Sequence, residues 1–155
     1  MAIEEGGALP ALTLEGSDGQ PLPLAGFAGA PFVLYFYPKD DTAGCTREAQ
    51  EFSALLPEFG AAGARLLGVS KDSAERHRKF TAKYELSVPL ATDAEGVVME
   101  AFGVWVEKQL YGRKYMGVDR STFLFAADGT LNRAWRKVKV PNHAEQVLAA
   151  VKALA

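Results

Sequence analysis

The apolar run Phe32-Val33-Leu34-Tyr35-Phe36-Tyr37 is followed directly by the polar stretch Pro38-Lys39-Asp40-Asp41-Thr42-Ala43-Gly44 and then by Cys45. The run consists of aromatic, β-branched and other apolar residues, and it is too short for a buried helix. It therefore predicts a central strand that is covered on both faces. Pro38 ends this strand, because proline has no N–H to donate to a sheet.

A helical pattern replaces the strand from about residue 43 onward. Apolar residues recur there at helical spacing and share one face: Ala49, Phe52, Leu55, Leu56 and Phe59. Pro57 lies within the pattern, and we expect a kink or an early end of the helix there. The apolar run over residues 64–70 predicts a second buried strand. Strand, helix and strand together predict a βαβ unit with parallel strands.

Two hairpins are predicted on either side of this unit. The segment Gly16–Gln20 contains Asp-Gly between alternating apolar residues, which is typical of a tight turn between antiparallel strands. The same dipeptide within Ala127–Thr130 predicts a second hairpin, formed by residues 121–126 and 131–138. The first is an N-terminal β-hairpin, and the second adds antiparallel strands to the sheet.

Further helices are predicted after the second strand. Ser73 is a suitable N-cap for a helix that reaches about Tyr84, and a short helix is predicted over residues 96–102. Asn142 is expected to cap a terminal helix. The pattern of residues 104–117 leaves their structure open. The predicted fold class is α/β, with a central mixed β-sheet flanked by helices.

The composition argues against several classes of protein. The chain of 155 residues is 48% hydrophobic and 23% charged with a net charge of −2, so we expect a packed core and no basic face for nucleic acid. No apolar stretch approaches the roughly 20 residues that span a membrane, and residues 1–10 do not resemble a secretory signal. Residues 1–155 are expected to form one domain. The single cysteine suits a reducing compartment, and the expected location is cytoplasmic.

Cys45 is the residue that points most strongly to chemistry. It follows a predicted strand and begins a predicted helix, where unpaired backbone N–H groups and the helix dipole favour the thiolate. The thiolate is the nucleophilic form of cysteine, and ligands bind at the carboxyl ends of strands in open α/β sheets. A free cysteine is also commonly a small buried apolar residue. The local residues leave both interpretations open.

Pro38, Thr42 and Cys45 follow the spacing proline, three residues, threonine, two residues, cysteine. The loop that contains them resembles the active-site loop of the peroxiredoxins, and more closely that of the bacterioferritin comigratory protein (PrxQ) subgroup. Three later stretches are also similar to this subgroup: Phe102–Trp105, Tyr111–Gly117 and Arg120–Leu124. The resemblance covers nearly the whole chain in the expected order, and it implies a thioredoxin-like fold.

The resemblance implies a role for each of four residues. Cys45 would attack a peroxide oxygen and become a sulfenic acid. Thr42 would hydrogen-bond and orient the peroxide, and Pro38 would shield the site from water. Arg120, which stays protonated, would lie beside the sulfur and favour the thiolate. The implied substrates are hydrogen peroxide and organic (alkyl) hydroperoxides, and no cofactor or metal is implied.

The chain departs from the subgroup at two positions. Many members have a second cysteine where this chain has Gln50, and with one cysteine an external thiol must reduce the sulfenic acid. Thioredoxin, glutaredoxin or a low-molecular-weight thiol would serve. Ala43 replaces a usual proline, which predicts easier local unwinding around Cys45. Members of the subgroup are often monomers, and a monomer is expected here.

Other functions would use the same features. A peroxide sensor or holdase would oxidise Cys45 without turnover. A thiol-disulfide oxidoreductase usually needs Cys-x-x-Cys, and Glu48 occupies the fourth position here. A cysteine hydrolase would need His77 or His143 as its base, and both are expected at the surface.

Structural roles are expected for the remaining side chains near these motifs. Glu48 is expected to interact favourably with the helix dipole, and Arg47 is expected to point away from the sulfur. Arg113 is expected to face solvent. Packing within the protein is expected for three aromatic residues, namely Trp105, Tyr111 and Tyr115.

Overall fold

The computed structural model describes residues 2–154. In this range the chain forms, in order, β1 (Thr13–Gly16), β2 (Pro21–Pro23), β3 (Phe32–Phe36), α1 (Ala43–Ala61), β4 (Arg65–Ser70), α2 (Ala74–Tyr84), β5 (Leu90–Thr92), α3 (Val97–Phe102), β6 (Trp105–Leu110), β7 (Arg113–Val118), β8 (Ser121–Phe125), β9 (Leu131–Trp135) and α4 (His143–Ala153). No helix of this range has the length and apolar character required to cross a membrane.

Seven strands form one mixed sheet in the order β2-β1-β5-β4-β3-β8-β9. β3, β4 and β5 run parallel, and the other neighbouring pairs are antiparallel. The predicted α/β fold with a central mixed sheet is therefore confirmed, and so is the N-terminal hairpin of β1 and β2. The parallel pairing of β3 with β4 also confirms the βαβ unit.

Side chains of β3 alternate between two hydrophobic cores, one on each face of the sheet. Val33 and Tyr35 belong to the core that includes residues of α1, α2 and α4. Leu34 and Phe36 belong to the core that includes residues of α3 and the N-terminal segment. A strand that is covered on both faces needs apolar residues at every position, which explains the uninterrupted apolar run.

Helix α1 continues through Pro57 to Ala61, so the prediction of an early end is wrong. Proline has no N–H to bond the backbone carbonyl of Ser53, one helical turn earlier. That carbonyl accepts a hydrogen bond from Ser87 Oγ at 3.2 Å instead. The helix tolerates the proline because a tertiary contact replaces the lost helical bond.

The structure also differs locally from the sequence-based predictions. Asn142 precedes α4 as expected, but its φ is 64° and its side chain makes no capping hydrogen bond. β9 ends at Trp135, short of the predicted end at residue 138. Residues 104–117, for which no structure was predicted, contain β6 and most of β7, which form a separate two-stranded sheet. Ser73 does cap α2, because its side chain accepts a hydrogen bond from the backbone N–H of Arg76.

Candidate active site

Cys45 is the third residue of α1 and follows the loop that leaves the carboxyl end of β3. Its side chain is buried, and the residue is 2% exposed. The backbone N–H groups of the first helical turn, residues 43–45, have no acceptor within the helix. These groups and the positive end of the helix dipole lie beside the sulfur, where they favour a negative charge.

Arg120 contacts the sulfur directly. Its Nη2 donates a hydrogen bond to Cys45 Sγ at 3.2 Å. The sheet places it there, because Ser121 at the start of β8 pairs with Phe36 at the end of β3. The residue before Ser121 therefore lies beside the loop that carries Cys45. The predicted approach of Arg120 to Cys45 agrees with this geometry.

Gly44 makes room for the guanidinium of Arg120. A Cβ at this position would lie 3.3 Å from Arg120 Nη2, which is tighter than ordinary van der Waals contact. The glycine at the second position of α1 therefore lets the arginine approach the neighbouring sulfur. Its absent side chain is part of the geometry of the site.

Glu48 completes a buried group that we call the arginine cluster: Cys45, Glu48 and Arg120. Arg120 Nη1 donates to Glu48 Oε1 at 2.6 Å, and the Glu48 side chain is 1% exposed. Burial raises the pKa of Glu48 from 4.5 to about 7, although the charge and hydrogen bonds of Arg120 act to lower it. The expectation that Glu48 only supports the helix dipole is wrong, because the carboxylate anchors the arginine.

The sequence does contain a signal for Glu48. It follows Cys45 by three positions, so the two side chains share one face of the helix. An arginine that contacts the Cys45 sulfur can therefore also form a charge-assisted hydrogen bond with the Glu48 carboxylate. Arg47 lies on another face and pairs with Glu51 at 2.7 Å near the surface, as expected for a residue that points away from the sulfur.

Thr42 and Pro38 lie in the loop before Cys45, and both are exposed. Thr42 is the N-cap residue of α1, but its Oγ1 donates to the backbone carbonyl of Lys39 at 2.8 Å. Within residues 2–154, no hydrogen bond joins Thr42 to Cys45. The geometry therefore brings together Cys45 and Arg120, whereas the roles of Thr42 and Pro38 stay predictions.

A second buried polar group lies on the α2 side of the same loop, and we call it the histidine cluster: Tyr37, Asp40 and His77. Tyr37 Oη donates to Asp40 Oδ1 at 2.6 Å, and His77 Nδ1 lies 2.7 Å from Asp40 Oδ2. His77 is fully buried, so the expectation of a surface position is wrong. Its charged neighbours in sequence lie on the other faces of α2, and it shares the buried face with Ala74 and Phe80.

His143 is also buried, at 4% exposure, and the surface prediction is wrong for it too. Its Nε2 lies 2.8 Å from Thr122 Oγ1. Burial, with a smaller contribution from the charge of Arg120, lowers the pKa of His143 from 6.5 to about 4. No hydrogen bond within the described residues joins either histidine to Cys45, so the geometry gives no support to a hydrolase with a histidine base.

The aromatic residues of β6, β7 and the turn between them differ in how far they are exposed. Trp105 packs as expected, partly buried against the α3 core, and Lys71 Nζ lies 4.3 Å from its ring centroid. Tyr111 is 96% exposed and Tyr115 is 47% exposed, so the packing expectation is wrong for these two. Arg113 is exposed as expected.

The two cavities described below lie apart from Cys45. Between residues 2 and 154, no group of three or more His, Cys, Asp or Glu side chains is arranged to hold a metal ion. Cavities of about 610 Å³ and 810 Å³ are lined by other parts of the chain, and neither includes Cys45 or Arg120.

Comparison with protein families gives a match to the AhpC/TSA family over residues 6–134. The chain is 50% identical over 149 residues to peroxiredoxin Bcp of Xanthomonas campestris pv. campestris, covering 94% of this chain and 93% of that protein. It is 45% identical over 152 residues to peroxiredoxin Bcp of Bacillus subtilis, covering 98% and 97% of the two chains. The chain belongs to the AhpC/TSA family, the peroxiredoxins, which are thiol peroxidases of thioredoxin-like fold. Within the family, its similarity is to the Bcp, or PrxQ, subgroup.

Solved structures agree with this assignment. The bacterioferritin comigratory protein of X. campestris, described for its alkyl peroxide reduction activity, superposes with a TM-score of 0.90 at 47% identity, covering 97% of this chain and 98% of that one. Peroxiredoxin Q of the same organism has been solved with serine in place of cysteine at two different positions. That relative therefore has at least two cysteines, whereas this chain has one.

Proposed function

We propose that the protein reduces hydrogen peroxide and alkyl hydroperoxides through Cys45 and is then restored by an external thiol. The observation that carries this proposal is the 3.2 Å contact between Arg120 Nη2 and Cys45 Sγ, in the first turn of a helix. A permanent cation and a helix N-terminus meet at one buried sulfur, and the nucleophilic form of that sulfur, the thiolate, is an anion. Family membership and the names of the relatives support the same activity.

In the oxidative step, the thiolate of Cys45 attacks the nearer oxygen of the peroxide. The S–O bond forms as the O–O bond breaks, so the sulfur is oxidised to a sulfenic acid, and the leaving oxygen takes up a proton from solvent to give water or an alcohol. Arg120 and the N–H groups of the first helical turn are suited to stabilise the oxygen that develops negative charge. We assign Thr42 to orienting the peroxide and Pro38 to limiting the access of water.

Glu48 holds the arginine in place for this step. Its carboxyl group binds Nη1 and leaves Nη2 directed at the sulfur. Fixing the guanidinium in advance removes a reorganisation cost from the reaction, because the donors already face the reacting atoms. We therefore propose Glu48 as a positioning residue for Arg120.

In the reductive step, an external thiol attacks the sulfenic acid sulfur, and water leaves as a mixed disulfide forms. A second thiol then attacks that disulfide and releases Cys45. The single cysteine requires this one-cysteine cycle. Thioredoxin, glutaredoxin and a low-molecular-weight thiol are the candidate reductants. We further propose that the chain acts as a single-domain monomer in the cytoplasm, where free thiols persist.

Turnover tests the proposal against the alternative of a sensor or holdase. Reduced protein is supplied with excess hydrogen peroxide and dithiothreitol, and the peroxide consumed per mole of protein is counted, with Cys45→Ser as the control. A peroxidase consumes many equivalents above the control. Consumption that stops at one equivalent, with Cys45 recovered as a sulfenic acid, would support the sensor instead.

A further inference from the structure

The hairpin of β6 and β7 carries apolar side chains that neither the fold nor the proposed chemistry uses. Within residues 2–154 its two strands pair only with each other, and every residue from 109 to 116 is exposed. Four of the five exposed large apolar side chains in this range lie there: Leu110, Tyr111, Tyr115 and Met116. Exposed apolar residues are normally scattered over a surface, so their concentration on one hairpin indicates an interaction site. We call residues 108–116 the hairpin tip.

Tyr111 occupies a position that tyrosine does not favour. It forms the two-residue turn of the hairpin with Gly112, and the φ angles of the two residues are 51° and 78°. This kind of turn favours asparagine followed by glycine, because a larger side chain in the left-handed region costs free energy. Tyr111 is also 96% exposed, so little packing within the chain offsets that cost. A side chain that strains the backbone and packs against almost nothing points to a contact outside the molecule.

The hairpin tip is also basic. Directly opposite residues of an antiparallel pair share a face, and the register places four side chains on one face: Lys108, Leu110, Arg113 and Tyr115. Lys108 and Arg113 form no salt bridge within the described chain, whereas Lys114, on the other face, lies 3.7 Å from Glu107. Residues 107–114 thus hold three basic side chains and one acidic one, in a chain whose net charge is −2.

An anionic lipid surface matches both properties of the tip. Tyrosine favours the interface between membrane and water, exposed apolar side chains enter the headgroup region, and basic residues are attracted to anionic lipids. A protein partner would have to match the shape of the hairpin, whereas a lipid interface deforms around it. We propose that the hairpin tip binds anionic lipid surfaces, with Leu110 and Tyr111 inserted among the headgroups and with Lys108 and Arg113 on the lipid phosphates.

Binding in this way has a consequence for the substrate. β7 ends at Val118, and Arg120, which contacts the sulfur of Cys45, follows two residues later. The turn at Gly112 is six residues before Val118, which corresponds to about 20 Å of extended strand. A chain held by its hairpin tip therefore has Cys45 near the alkyl hydroperoxides that oxidised lipids carry. This consequence rests on the proposed function, whereas the binding itself does not.

Vesicle flotation tests the binding. The reduced full chain is mixed with vesicles of phosphatidylcholine, with or without phosphatidylglycerol, and the bound fraction is measured at low and at high ionic strength. The wild type is expected to bind the vesicles that contain phosphatidylglycerol, and to bind them more weakly at high ionic strength because salt screens the basic residues. A wild type that does not float with these vesicles would refute the proposal and leave a protein partner for the tip.

Tyr111→Asn separates binding from stability. Asparagine suits the turn better than tyrosine, so the unfolding midpoint is expected to stay unchanged or to rise, while the affinity for the vesicles falls about tenfold. Val97→Asn is the matched control, because Val97 is a 51% exposed apolar residue of α3, outside the hairpin. It is expected to bind like the wild type. Unchanged affinity in Tyr111→Asn, or an equal loss in both variants, would contradict the insertion of the tip.

A second pair of variants tests the basic face. Lys108→Gln combined with Arg113→Gln is expected to lower the affinity about tenfold or more at low ionic strength. Lys79→Gln combined with Lys152→Gln changes the net charge equally at exposed positions on α2 and α4, and is expected to bind like the wild type. An equal loss in both double variants would show that net charge, and not the hairpin, governs the binding.

Oxidation rates separate this inference from the proposed function. In Tyr111→Asn, oxidation of Cys45 by hydrogen peroxide is expected to match the wild type, whereas oxidation by vesicles that contain a phospholipid hydroperoxide is expected to be about tenfold slower. Equal rates with those vesicles would refute the placement of Cys45 at the lipid surface. A wild type that hydrogen peroxide does not oxidise would refute the peroxidase, and flotation would still report on the hairpin tip.

Discussion

The arginine cluster and the histidine cluster are both buried polar groups beside the loop of Cys45, and they differ in what they contact. Arg120 donates directly to the sulfur, and its second nitrogen is held by Glu48. His77 contacts the loop through Asp40 and makes no hydrogen bond to the sulfur. The comparison shows two buried polar groups at one loop, of which one contacts the reacting sulfur directly and the other contacts only the loop that precedes it.

The largest effect is expected from removing the cation at the sulfur. Arg120→Met keeps most of the side-chain volume and removes every donor, so the rate constant for oxidation by hydrogen peroxide is expected to fall about 10²- to 10³-fold. Rapid-mixing fluorescence measures this constant. Arg113→Met is the control, because Arg113 is exposed on β7, and it is expected to leave the rate unchanged. An unchanged rate in Arg120→Met would remove the chemical role from the arginine cluster.

The next largest effect is expected on the pH dependence of the unfolding free energy, through the titration of Glu48. Because the pKa of Glu48 is raised from 4.5 to about 7 in the folded state, its contribution to stability is present below pH 4.5 and is lost as the pH rises to about 7. Over that window the wild type is expected to lose up to about 3 kcal/mol of unfolding free energy relative to Glu48→Gln. Urea unfolding at several pH values measures it, and parallel profiles would contradict the raised pKa.

For His143, the same urea experiment is expected to show stability changing with pH in the opposite direction. Its pKa is lowered to about 4, so its contribution to stability is present above pH 6.5 and is lost as the pH falls towards 4. Relative to His143→Gln, the wild type is therefore expected to weaken in acid, whereas relative to Glu48→Gln it weakens as the pH rises. The same sign for both variants would show that one of the two burial effects is misassigned.

A smaller effect is expected from crowding the arginine. Gly44→Ala places a Cβ 3.3 Å from Arg120 Nη2, so the guanidinium must shift by a few tenths of an ångström, and the peroxide rate constant is expected to fall by a factor of up to about ten. Gly60→Ala is the matched control in the same helix, since a Cβ there meets nothing within 4 Å. Equal rates in the two variants would mean that the arginine has more room than the geometry indicates.

The smallest effect on stability is expected from removing the exposed salt bridge between the Cys45 loop and α2. Lys83 pairs with Asp41 at 2.8 Å, but both side chains are exposed, so Lys83→Met is expected to change the unfolding free energy by less than about 0.5 kcal/mol. Urea unfolding measures this difference, and a loss well above 1 kcal/mol would contradict a weak, solvent-screened pair.

Much of the site was predictable because it is local in sequence. The apolar run of β3, the polar loop and the helical period after it place Cys45 in a first helical turn without any tertiary information. The spacing of Pro38, Thr42 and Cys45 resembles the active-site loop of the peroxiredoxins, and this resemblance implies the same chemistry. Each of these signals depends only on neighbouring residues.

What the sequence missed depends on tertiary pairing. The partner of Glu48 is fixed by the register of β8 on β3, and the burial of His77 and His143 is fixed by how α2 and α4 pack on the sheet. A charged residue or a histidine among polar neighbours is usually at the surface. Helical periodicity through Ala74, His77 and Phe80 was the available signal for a buried face.

The rate of the first oxidation tests the central claim most directly. Fully reduced protein is mixed with hydrogen peroxide in stopped flow, and the second-order rate constant is compared with that of free cysteine at the same pH and with Cys45→Ser. The account predicts a constant at least about a hundredfold above that of free cysteine, with no reaction in the variant. A constant equal to that of free cysteine would show that the arginine cluster and the helix N-terminus do not activate Cys45.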